Sequence, residues 1–222
     1  MVYRRTDRVT ARLAARYEAI LAAARALASE SGLAAVQIVP VAERAGIAAG
    51  TVYRYFPSKD DLVAALVAAS ADRAVAAIRK AVGAAPGPLS GLAAAIMTFA
   101  TGLARTRRLA WAILAEAPDS RSAEAARVAF RRRLAGEFEA LIRAAVMAGH
   151  LPEQDPAAAA AALIGAASEV LAGPLTISPA GPDAERVAVQ SLGLFLLRAL
   201  GIVDARARGL VVQAGIRDQP EL

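Results

Sequence analysis

Apolar residues recur at three- and four-residue intervals along most of the chain. Leu13, Tyr17, Ile20, Leu21, Ala24, Leu27 and Ala28 make one stripe, with Arg12, Arg16, Glu18, Arg25 and Glu30 mostly off it. That period predicts an amphipathic helix over 12–31, with Gly32 as its stop. A short helix is expected at about 38–45, where Pro40 is tolerable only because it lies in the first turn. Gly46 breaks it, and another short helix runs to Phe56 before Pro57. Ser58 and Asp61 have capping-box spacing, and Asp60 and Asp61 place negative charge at a helix start. A long helix over 58–82 follows, with Leu62, Leu66, Ala69 and Ile78 on its inner side. The stretch GAAPGP at 83–88 is the clearest break. Further helices are expected near 89–106, 108–117, 121–148, 155–173 and 183–200, and residues 203–222 read as a fraying tail. No repeat at solenoid periods is visible.

Composition turns this pattern into a fold class. Of 222 residues, 60 are alanine, while aromatics are only 5%. Alanine loses least on entering a helix, and the residues that favour strands are sparse. An all-α protein is expected, with a hydrophobic content of 57% that is too high for a disordered chain. The absence of cysteine excludes disulfides, thiolate metal sites and a cysteine nucleophile. One histidine, His150, argues against a histidine metal cluster or a Ser-His-Asp triad. No metal and no cofactor are expected. No uncharged helix-compatible run reaches the roughly 18 residues of a membrane span, and the basic N-terminus lacks the apolar stretch of a signal peptide. A soluble, cytoplasmic protein is expected, with no membrane partner.

The net charge of +6 is unevenly placed. Residues 1–60 hold nine basic and five acidic side chains, whereas the remaining 162 hold seventeen and fifteen. Arg4, Arg5, Arg8, Arg12 and Arg16 face only Asp7 in the first sixteen positions. A basic end on a near-balanced chain is the footprint of something that touches phosphates, or else a solvated tail. Residues 1–11 are read as a basic arm, and Arg4, Arg5 and Arg8 either follow a DNA backbone or minor groove or stay free.

The segment 38–57 has the layout of a helix-turn-helix: small Ala42 at the crossing, Gly46 in the turn, and Val41, Ala45, Ile47 and Val52 around it. At 100° per residue, Ala48, Val52 and Phe56 share an inward arc. Gly50 and Arg54 then face away, flanked by Ala49 and Tyr53 on one side and Thr51 and Tyr55 on the other. The longer string AGIAAGTVYRYFPSKDDLVAAL at 45–66 is more specific than that spacing. It resembles the TetR family of one-component transcriptional regulators, through Gly46, GTVYRYF at 50–56, Ser58-Lys59, an acidic residue and Leu62. The resemblance covers about 12–66, with only length and helical content agreeing beyond.

The resemblance implies a homodimer whose N-terminal three-helix domain (12–57) reads double-stranded DNA. A connecting helix (58–82) would lead to a variable helical regulatory and dimerisation domain (83–202) that takes a small molecule. Ala49, Gly50, Thr51, Tyr53, Arg54 and Tyr55 would lie on the recognition helix. Tyr53, Tyr55 and Lys59 match positions that contact phosphates, and Gln37 another that approaches DNA. Arg54 would reach a guanine edge or a phosphate. Tyr55 and Tyr53 also have a packing reading, against the helix starting at 58, stronger for Tyr55. Tyr17 reads as core. The chain departs from the family at Val36, Gln37 and Ala48, where hydroxyls are common, and Pro40 is unusual.

No catalytic constellation appears beyond residue 83. Met97, Phe99, Trp111, Phe130, Phe138 and Met147 are large enough to line a cavity, with Arg105, Glu116 or His150 as polar groups, or all are ordinary core and surface. The segments 157–168 and 191–197 are apolar on more than one face. Leu163, Ala167, Val170, Leu192, Phe195 and Leu196 are therefore assigned to a dimer interface, the alternative being burial within one chain. The expected activity is that of a ligand-responsive DNA-binding regulator, a repressor of a pseudo-palindromic operator released by a small apolar or amphipathic effector. The alternatives are a helical-bundle binding protein or enzyme with an incidental basic N-terminus, and a regulator that takes no ligand.

Overall fold

The computed structural model describes residues 3–115, 120–174 and 183–217, and among these every regular element is helical. α1 spans Tyr3–Ser31 and is followed by a single 3-10 turn at Leu33–Ala35. α2 spans Ile38–Arg44 and α3 Ala49–Tyr53. α4, Lys59–Gly83, leads into α5, Pro88–Arg105, and α6, Arg107–Leu114. α7 spans Arg121–Met147, α8 Pro156–Ala172, α9 Ala184–Ala199 and α10 Asp204–Arg217.

Two boundaries differ from the sequence pattern. α1 starts at Tyr3, so the basic N-terminal residues continue a helix instead of forming a separate extended arm. Its hydrophobic stripe is hidden only from Ile20 onward, and residues 9–19 are exposed. The segment expected to fray after residue 203 is α10, which buries Ala207, Leu210 and Val211 against α5 and α9. Its apolar positions are diluted by arginine and glycine, which hid the period.

The helix starts follow local chemistry. The Asp61 amide donates to Ser58 Oγ at 3.1 Å, and Ser58 Oγ donates to the Asp61 carboxylate at 2.7 Å, a serine N-cap whose hydroxyl is itself held by the N3 carboxylate. Ser120 accepts from the Ala123 amide to start α7. Asp155 accepts from the amides of Ala157 and Ala158 to start α8, whose first residue is Pro156. α2 ends at a glycine in the left-handed region, Gly46 with φ 65°, and the Ile47 amide donates back to the Ala42 carbonyl at 3.0 Å.

α5 carries no charge between Pro88 and Arg105 and is buried on nearly every side. α4, α6, α7, α8, α9 and α10 pack around it. Its run Ala93-Ala94-Ala95 is buried; such small side chains let neighbouring backbones approach. The hydrophobic core is continuous from Ile20 in α1 to Val211 in α10. The N-terminal three helices are thus fused to the C-terminal bundle through α4, with α1 also packing against α6.

Replacing Gly46 by alanine forces a Cβ into a backbone conformation that costs an L-residue roughly 1 kcal/mol. Urea denaturation should show a loss of that order; an unchanged midpoint would mean the turn does not need its left-handed residue.

Candidate nucleic-acid interface and cavity

α2 and α3 cross at Ala42, which is buried with Val41 and Val52. α3 is short, so Arg54 is its C-cap and Tyr55 lies in the turn beyond it. Phe56 then closes the underside: its amide donates to the Val52 carbonyl at 2.9 Å and its side chain is buried. The Tyr17 ring of α1 lies 5.2 Å from the Phe56 ring and 6.5 Å from that of Tyr55. Tyr17 sits at the core margin, where it braces the turn after α3.

The opposite side of this unit is uncovered. Gly50, Tyr53 and Arg54 are exposed, Tyr53 at 52%. Thr51 and Lys59 are half-buried at the edge of the same face. Ala49 and Tyr55 are half-buried and packed on the core, so of the two tyrosines Tyr53 is the outward one. Gln37 is exposed at the N-cap of α2, where its Nε2 donates to the Ala34 carbonyl at 3.0 Å and does not cap the helix. Ala48, the N-cap of α3, likewise offers no side-chain cap. The hydroxyls missing at these two caps leave helix-start amides that no side chain satisfies.

The second feature is a cavity of about 320 Å³. Its walls come from α4 (Ala74, Ile78), α5 (Phe99, Leu103), α6 (Leu109, Ile113) and Phe130 of α7. Arg25 of α1 and Arg73 of α4 also reach it. It therefore lies where the N-terminal helices meet the bundle.

Only Phe99 and Phe130 of the expected cavity residues line it. Met97 turns the other way, toward α9, where its sulfur fills the notch left by Gly193. Phe138 is fully buried behind the cavity, its ring edge-on to Phe99 at 5.6 Å. Met147 is 83% exposed at the end of α7, and Trp111 is half-buried off the cavity wall. Glu116 lies outside the described residues. Arg105 is exposed and His150 sits in the turn after α7; neither reaches the cavity. Arg25 and Arg73 were overlooked because both fall between apolar stripe positions, where a charged residue ordinarily marks the solvent face. Among the described residues no three His, Asp or Glu side chains gather as a metal site would require.

The expected dimer residues divide by burial. Leu163, Ala167, Leu192 and Leu196 are buried inside the single chain, so they belong to the core that α8 and α9 share with the rest of the bundle. Val170 and Phe195 are exposed, at 47% and 57%.

Residues 20–66, which contain this unit, match the family described as "Bacterial regulatory proteins, tetR family". The chain carries a tetR-type N-terminal domain. The HTH-type transcriptional repressor KstR of Rhodococcus jostii is 52% identical over 58 residues, 26% of this chain and 27% of KstR. The chain thus matches about a quarter of the length of that curated relative. Beyond the tetR-type domain the likeness is one of fold. The fatty acid degradation regulator FadR of Bacillus halodurans superposes with a TM-score of 0.70 at 22% identity, over 85% of this chain and 97% of that one. FadR of Bacillus subtilis, solved with stearoyl-CoA, gives 0.69 at 18% identity, over 84% and 99%. No described helix is long and apolar enough to cross a membrane.

Tyr17 braces the tetR-type unit from below without facing outward with Tyr53. Tyr17→Ala should cost about 1–2 kcal/mol, from lost apolar contact and the ring pair. Chemical denaturation reads this directly, and no loss would mean that the ring contact contributes nothing to the turn.

Proposed function

We propose that this protein is a transcriptional repressor that binds a pseudo-palindromic DNA operator as a homodimer and is released by a small apolar or amphipathic effector held in the cavity. The observation that carries the reading is the bare face of Gly50, Tyr53 and Arg54 above a fully packed support. A helix held by its neighbours on one side and open on the other is what a DNA groove requires. Tyr53 and Lys59 fit phosphate contacts and Arg54 a base edge or phosphate. Gln37 and Thr51 flank them, and Ala49 and Tyr55 set the spacing of this face from the core. The relatedness to KstR, a repressor by name, supports the direction of regulation. On this reading the chain is a regulator without catalytic activity, acting in the cytoplasm.

Dimerisation is assigned to α8 and α9. Their outer faces carry Ala161, Ala162, Gly165 and Val170 on one helix and Val187 and Phe195 on the other, all exposed. Two copies packed on this face form a four-helix contact in which the small residues of α8 admit Phe195 of the mate. The two-fold axis then presents a pair of α3 helices to half-sites about one helical turn apart or somewhat more.

The cavity supports the effector role by its position. α6 lines it and also anchors the N-terminal helices, because Arg108 donates to the Glu30 carbonyl at the end of α1. Glu30 is in turn paired with Arg44 of α2 at 2.6 Å, and this guanidinium holds the carboxyl below its usual range. A ligand that shifts α6 or α4 therefore acts on the elements that carry α3. The stearoyl-CoA bound by B. subtilis FadR supports a ligand site in this fold. A decisive shift between two states needs on the order of 5 kcal/mol of differential binding.

Selection from fragmented genomic DNA should enrich a pseudo-palindrome. On that site Tyr53→Ala and Lys59→Ala should weaken binding, and Lys59→Ala should also lower the salt slope by about one unit per protomer. No enrichment of any sequence would return the protein to the class of helical binding proteins or enzymes. Phe195→Asp should convert a sedimenting dimer into monomer; a wild-type protein already monomeric at micromolar concentration would remove the interface.

A further inference from the structure

The cavity is apolar but for one place. Ala74, Ala77, Ile78, Leu109 and Ile113 offer no polar side-chain atoms, and the hydroxyls of Ser70 and Thr106 already donate to the Leu66 and Gly102 carbonyls at 2.7 and 2.8 Å. Thr98 adds a third hydroxyl to the wall, and Arg25 and Arg73 supply its cationic groups. The Nη2 atom of Arg25 is buried and has no hydrogen-bond partner. Arg73 is exposed at the rim of the cavity and outside the described ion pairs; partial desolvation pulls its guanidinium below the ordinary value, against the opposing field of Glu18. No carboxylate lines the cavity among the described residues.

A guanidinium nitrogen out of water and without an acceptor is costly to the fold, and proteins seldom keep one without a use. Here one such group, Arg25 on α1, and the exposed guanidinium of Arg73 on α4 converge on one apolar space from different parts of the molecule. We propose that the cavity takes an amphiphile with an anionic headgroup, its oxygens accepting from Arg25 and Arg73 and its apolar body lying among Phe99, Leu103, Ile113 and Phe130. The volume holds about ten water-sized groups, so a chain of eight to ten carbons fills it. The inference rests on reading this cavity as the effector site and adds the charge of the ligand. It also adds a route: Arg25 belongs to α1, so the headgroup touches the N-terminal domain directly and joins it to α4.

Decanoate, 1-decanol and decylammonium distinguish headgroup from chain in titration calorimetry with the full-length protein. Decanoate should bind about ten- to a hundredfold more tightly than decanol, the range expected for hydrogen bonds to a charged group, and decylammonium more weakly than either. Decyl phosphate separates a carboxylate from a phosphate source of the same anion. In Arg25→Met and Arg73→Met the advantage of decanoate over decanol should vanish while decanol binding persists. Ligand-free Arg25→Met should melt about 2–4 °C higher, because an unpaired buried donor is removed. Equal binding of decanoate and decanol by the wild type, or no binding of either, overturns the proposal. So does an anion preference that survives both substitutions. If decanoate is preferred but leaves operator binding unchanged, the headgroup site stands and the effector-driven release falls.

Discussion

The architecture depends on one helix that cannot meet water. Between Pro88 and its last residue, Arg105, α5 has no charged side chain to turn outward, so the chain must wrap its length. Six helices do so, and this requirement explains why the C-terminal residues after 203 fold back as α10. It also explains the placement of bulk. Where α5 meets α9, Met97 occupies the hollow over Gly193, and where it meets α7, Phe99 and Phe138 stack edge to face. The space left over on the α4 and α6 side, toward α1, is the cavity.

That location has a functional meaning because the same elements carry the N-terminal unit. α1 contributes Arg25 to the cavity wall, Tyr17 to the brace under Phe56, and Glu30 to the contacts with Arg44 and Arg108. One helix thus touches the proposed ligand, the support of α3 and the joint with α6. Individually the exposed ion pairs are worth little. Their value here is geometric, since they fix the angle between α1 and its neighbours.

The N-terminal unit was largely legible in the sequence, and the cavity was not. Gly46, Val52, Phe56 and the Ser58 cap each have a strong local cause, so their roles survive in a single chain read alone. Arg54 and Tyr55 were placed on the recognition helix, yet α3 ends at Tyr53, because a helix of five residues is set by packing and not by propensity. Cavity residues have no local cause at all. Met97, Trp111, Phe138 and Met147 are as large as Phe99 and Phe130, and only the direction each takes from its helix separates wall from core from surface. The expected interface residues divide for a related reason: in an alanine-rich bundle Leu163, Ala167, Leu192 and Leu196 fill the chain's own interior, while Val170 and Phe195 stay on the surface.

The uninterrupted length of α4 has a mechanical consequence. Its 25 residues make a rod about 37 Å long. Pivoting such a rod by about 5° at its far end carries Lys59 and the attached α3 through roughly 3 Å, close to the spacing of one base step. Displacements too small to disturb the packing around α5 are thereby magnified at the tip, so a nearly incompressible interior is compatible with a sensitive output.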